Sequence, residues 1–162
     1  MPVIDALWDM DTRRLIMTAQ FAAPVERIWQ LYADPRQLEK VWGPPTHPAT
    51  FVDHDLTPGG RMTYFMTAPD GQKYCGFWDV KEVDEPRSFT FEDGFANEDF
   101  TPDTSLPVGI NTYSFSSHDD GTRAVYEAVY PSVEALQQVL DMGMVEGATG
   151  AINQIDAFLA EG

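Results

Sequence analysis

A chain of 162 residues fits one domain, and a formal net charge of −16 makes nucleic acid or an anionic bilayer an unfavourable partner. Hydrophobic residues make up 43% and aromatics 12%, too much for a disordered chain and well suited to a sheet that lines an interior. The single cysteine, Cys75, excludes an internal disulfide and fits a reducing compartment, with the cytoplasm as the default.

The first residues carry no basic n-region or uninterrupted apolar run, which speaks against a signal peptide. No stretch reaches the ~18 apolar residues of a membrane span. Residues 1–12 read as an irregular leader that packs Leu7 and Trp8 onto a single domain at 13–162. Leu15 to Phe21 predicts a first strand. Pro24 sits where a helix tolerates proline in its first turn, and Val25, Ile28, Trp29 and Tyr32 give that helix an apolar stripe. Asp34-Pro35 ends it and opens a second short helix to Val41. Trp42-Gly43-Pro44-Pro45 makes a rigid corner.

Strands are then predicted around Phe51-Val52, from Arg61 to Thr67, from Lys73 to Val83 and from Ser88 to Glu92, with Pro58-Gly59-Gly60 and Pro69-Asp70-Gly71 as turns. Alternation puts Met62, Tyr64 and Met66 on one face. Residues 93–107 read as a long mobile loop of the kind that serves as a lid. Val108 to Ser116 and Thr122 to Tyr130 pair across an Asp120-Gly121 hairpin. Ser132 caps a terminal helix, whose stripe runs from Leu136 through Leu140, Met144, Ala148 and Ile152 to Leu159. Gly143, Gly147 and Gly150 weaken it by roughly 1 kcal/mol each, with a break expected at 141–143.

That order resembles the helix-grip fold of the START/Bet v1-like superfamily. Within it, the chain is similar to the bacterial group related to the C-terminal domain of the activator of Hsp90 ATPase. The resemblance is carried by Phe21-Ala22-Ala23-Pro24, Asp34-Pro35, Val41-Trp42-Gly43-Pro44, Leu56-Thr57-Pro58-Gly59-Gly60-Arg61, Val83-Asp84-Glu85-Pro86-Arg87, Gly121-Thr122-Arg123 and the terminal helix. It implies an α+β fold in which a curved antiparallel sheet wraps a long C-terminal helix, with two short helices after the first strand. Members resemble lipid and polyketide binders, aromatase/cyclases and co-chaperones, so it also implies a small hydrophobic ligand or a chaperone and stress-response partner. The chain departs from the family where a tryptophan is expected after the glycine of the last helix. Gly147-Ala148 stands there instead, which enlarges the interior or alters how the helix docks.

The expected function is binding of a small hydrophobic or aromatic molecule between sheet and terminal helix, with 42–48 and 93–107 as the gate. The cavity candidates are Trp29, Tyr64, Met66, Trp78, Phe89, Phe91, Tyr113, Phe115 and Tyr126, with Met142 and Met144 across from them. Methionines repack round irregular ligands, and Arg61, Tyr64 and Tyr113 are candidate polar anchors. The alternatives are a co-chaperone and a cyclase-type enzyme; no catalytic set stands out. His47, His54, His118 and Cys75 lack metal-ligand spacing, Asp53-His54-Asp55 alternates away from convergence, and no phosphate loop or nucleophile elbow occurs. Neither metal nor cofactor is therefore expected. Pairing of two copies is compatible with so small a domain.

Overall fold

Alternation at every second residue builds eight strands in the computed structural model, which describes residues 3–161. They are β1 (Val3–Asp9), β2 (Arg14–Phe21), β3 (Ala49–Asp53), β4 (Arg61–Thr67), β5 (Lys73–Asp84), β6 (Ser88–Ala96), β7 (Gly109–His118) and β8 (Gly121–Val129). One antiparallel sheet runs in the order β1-β2-β8-β7-β6-β5-β4-β3. After β2 the chain crosses to the far edge through two helices and returns strand by strand, so that β8 closes against β2. The fold is the helix-grip α+β architecture.

The inner face is continuous in register. Leu15, Ala128, Asn111 and Phe91 form one row, and Met17, Tyr126, Tyr113 and Phe89 form the next. Helices α1 (Val25–Ala33) and α2 (Pro35–Trp42) cover part of this face. Pro24 is the N-cap of α1 rather than a residue of its first turn. The Asp34 carboxylate accepts from the Arg36 amide at 2.9 Å and caps α2, with Pro35 inside the start.

Three sequence expectations change. The leader is not irregular: residues 3–9 are β1, paired with β2 from Val3 opposite Ala19 to Trp8 opposite Leu15. A bulge between Val3 and Asp5 interrupts the alternation, which hides the strand from a period-2 reading; Met1 and Pro2 lie outside the described residues. The loop expected at 93–107 starts late, because Asp93 to Ala96 continue β6. The terminal helix comes in three pieces, α3 (Val133–Asp141), α4 (Met144–Ile152) and α5 (Ile155–Glu161). Gly143, at φ +83°, makes the foreseen break, since a left-handed residue ends a helix at little cost only when it lacks a Cβ. At the second break Gln154 Nε2 donates to the Gly43 carbonyl at 2.6 Å and ties the helix to the corner.

Five cavity candidates are solid core instead. Trp78 stacks on Phe91 at 4.0 Å between centroids, Trp29 meets Phe89 edge-on at 5.6 Å, and Phe115 lies 6.5 Å from Trp29. All five are buried, Trp78 and Phe91 completely. Strand period identifies an inward residue. Whether it meets a ring or a void depends on what stands opposite: Trp29 of α1 lies against Phe89 and Phe115, and Trp42 of α2 lies against Trp78.

Candidate functional site

Beside that aromatic block the sheet and helices do not meet. A cavity of about 570 Å³ lies between the inner face and α2, α3, α4 and α5. Tyr64, Met66, Tyr113 and Tyr126 line it from the sheet, and Met142 and Met144 from the helical side. Trp29, Trp78, Phe89, Phe91 and Phe115 do not line it. Arg61 is not an anchor either: it is turned outward in an ion pair with Asp79 at 2.8 Å.

Gly147 and Ala148 both face the cavity, and a Cβ on Gly147 would meet nothing within 4 Å. Small residues on α4 and Ala128 on β8 leave the volume open. The mouth carries exposed Thr46, Met142 and Glu146 and half-exposed Tyr74. His47 also stands there, its Nδ1 2.7 Å from the Thr46 hydroxyl.

Sequence reasoning missed the main polar group of the interior. Asp93 continues the inward series Phe89, Phe91 on β6 and lies opposite Trp78 on β5 and Gly109 on β7. One further step of the alternation would have placed it inside, but assigning 93–107 to a loop stopped the count. Two glycines make room around it. A Cβ at Gly76 would collide with the Tyr64 hydroxyl, and one at Gly109 would come within 2.9 Å of the Tyr130 ring. The Tyr64 hydroxyl donates to Asp93 Oδ1 across a long 3.5 Å. Asn111, also buried, donates from Nδ2 to the Gly109 carbonyl at 3.3 Å. Deeper in, the Tyr32 and Tyr126 hydroxyls are 2.9 Å apart.

Asp93 lines the cavity and is partly accessible there. Burial pushes its carboxyl up to about 7, opposed weakly by the Tyr64 hydrogen bond. Burial, and then the Asp93 charge, raise Tyr64; burial likewise raises Tyr113, Tyr126 and Tyr130, so all four stay neutral phenols near pH 7. Burial also raises the Cys75 thiol, which disfavours the thiolate. The wall thus offers phenol hydroxyls, one amide and one titrating carboxyl in an apolar hollow, the composition of a ligand site.

The carboxyl has a consequence for stability. An acid whose folded value lies above its unfolded value binds more protons when folded, so stability falls as pH rises from about 4 to about 7 and levels beyond. Asp93→Asn, isosteric and uncharged, is expected to match the parent near pH 4 and exceed it by about 1–3 kcal/mol near pH 8, read by urea unfolding. Equal stability at both pH values would contradict the burial of this group.

The other polar candidates are structural. His54 Nε2 contacts the Tyr32 carbonyl at 2.9 Å, and Asp53 accepts from the Thr63 hydroxyl at 2.6 Å. Among the described residues no three His, Cys, Asp or Glu side chains converge to hold a metal, and no helix is long and apolar enough to cross a membrane.

The family described as "Activator of Hsp90 ATPase homolog 1-like protein" matches residues 22–160. Among solved structures, protein Ms6760 from Mycobacterium smegmatis is 69% identical, with a TM-score of 0.92 over 98% of this chain and 97% of its own. A protein from Arthrobacter aurescens is 41% identical, with a TM-score of 0.94 over 99% and 93%. The AHSA1 protein from Silicibacter pomeroyi, at 22% identity and a TM-score of 0.74 over 91% and 97%, shares the fold. No curated protein matches the chain.

Proposed function

The chain belongs to the activator of Hsp90 ATPase homolog 1-like family, and from that premise we propose that it binds a small hydrophobic or aromatic molecule inside the sheet–helix cavity. The observation that carries this reading is the 570 Å³ hollow itself, walled by Tyr64, Tyr113, Tyr126, Met66 and Met144 where a tightly packed domain would have interlocking side chains. The lone Cys75 fits a cytoplasmic setting. The ligand enters past Met142, Tyr74 and the 42–48 corner, and the loop after β6, which contributes Pro107 to the wall, closes part of the opening.

A thermal-shift and native mass-spectrometry screen of polycyclic aromatic and long-chain alcohols tests the reading. A bound compound at a hundredfold excess over its Kd is expected to raise Tm by about 5–10 °C. If no apolar compound in the screen shifts Tm or adds mass, the carrier reading fails. The family description supports a second reading, contact with an Hsp90-type chaperone. A pull-down with cavity-filling variants separates the two, because an outer-surface contact survives a filled cavity.

A further inference from the structure

We propose that the molecule held in this cavity carries a protonated nitrogen, and that Asp93 is the group that accepts it and selects it over neutral or anionic analogues. This rests on the cavity being a ligand site, as proposed above, and adds the chemistry of what fits.

Among the described residues, the formally charged ones of the wall are Asp93, inside, and Glu146, exposed at the mouth, and no lysine or arginine lines the cavity. A cavity built for a fatty acid or another carboxylate would need a cation or a set of free donors at the position Asp93 occupies. Here an anionic head group would meet a carboxyl in a poorly solvated space, where like charges repel far more strongly than in water. An ammonium has the opposite fate. It can ion-pair with Asp93, donate to the phenol oxygens, and lie against the aromatic faces of Tyr64 and Tyr113, which attract cations. Glu146 and the overall charge of −16 favour a cation's approach as well.

The surroundings of Asp93 leave this role open to it. The groups that face it are phenols, Tyr64 of β4, Tyr113 of β7 and Tyr130 just beyond β8. The remaining titratable groups of the wall are Tyr32 of α1, Tyr74 and Cys75 of β5, Tyr126 of β8, His47 of the corner and Glu146 of α4. Among the described residues no lysine or arginine of the wall neutralises the Asp93 carboxylate, so a ligand cation has no competitor among them. Because the empty site holds this carboxyl near 7, an ammonium that binds below that pH must expel the carboxyl proton. Affinity then rises with pH between about 5.5 and 8.

The test uses three molecules of one shape, 2-(2-naphthyl)ethylamine, 2-(2-naphthyl)ethanol and 2-naphthylacetate, titrated calorimetrically into the full chain and into Asp93→Asn. The amine is expected to bind the parent about 10–100-fold tighter than the alcohol near pH 8, with the acetate weakest. Asp93→Asn is expected to erase the amine's advantage and keep the alcohol's affinity. In the parent alone, amine binding near pH 6.5 should release protons, seen as a dependence of the heat on the buffer's ionisation enthalpy, whereas alcohol binding should not. Equal affinity for amine and alcohol, or an amine preference that survives in Asp93→Asn, overturns the role of Asp93 while the cavity stays a ligand site. No proton release with the amine also overturns it, whether or not the variant folds. Failure of all three to bind overturns the site as well.

Discussion

Ala148→Trp is expected to lower the affinity of any cavity ligand by about 30-fold or more while leaving the fold intact. Ala148 sits on α4, lines the cavity and follows Gly147, beside which there is open space. A tryptophan buries about 150–250 Å², and here it enters volume that is vacant rather than volume already filled, so the overpacking cost of a dense core does not apply. The variant is expected to gain about 1–2 kcal/mol and a few degrees of Tm. Thermal unfolding and ligand titration on the same sample check both halves. Lost affinity together with a large loss of Tm would mean that the indole does not fit and α4 is displaced. Unchanged affinity would place the ligand somewhere other than this cavity.

The largest stability effect belongs to the other half of the interior. Trp78→Ala is expected to destabilise the chain by about 3–5 kcal/mol, the range for a fully buried aromatic, and to lower Tm by roughly 10 °C or more. Trp78 is fully buried, stacked on Phe91 at 4.0 Å and edge-on to Trp42 at 4.8 Å, so its removal leaves a hole that surrounding rings cannot fill by rotation. Met142→Ala provides the contrast. That side chain is 50% exposed at the mouth and its loss should change stability by no more than about 0.5 kcal/mol. Comparable losses for the two variants would contradict the division between packed core and open cavity.

That division is where the sequence stopped being informative. Strand period alone put Trp78, Phe89, Phe91, Tyr113 and Tyr126 on the inner face, and the inner face is where they are. Period carries no information about what stands opposite. Trp78, Phe89 and Phe91 stack on one another and became core, while Tyr113 and Tyr126, which also touch Tyr32 of α1, border the void. The signal for the void was present in the small pair Gly147-Ala148, which lines it. Asp93 was hidden for a different reason. Acidic residues, Gly94 and two prolines in 93–107 read as loop chemistry, yet β6 runs on through Ala96 because Phe95 and Ala96 pair with Gly76 and Cys75 of β5. Tertiary pairing overrode a local composition that favours loops. At the other end of the chain β1 was hidden differently, by the bulge between Val3 and Asp5 that breaks its alternation.

The closure of β8 on β2 also sets the order in which the molecule can be built. Met17 faces Tyr126, 109 positions further on (126 − 17), and both border the cavity. Joining segments so distant costs chain entropy before any contact repays it, so this seam is among the slowest to form. The hollow has no floor until the last strand arrives. A molecule that binds there therefore recognises only the finished chain, and its presence favours the state in which β2 and β8 are joined.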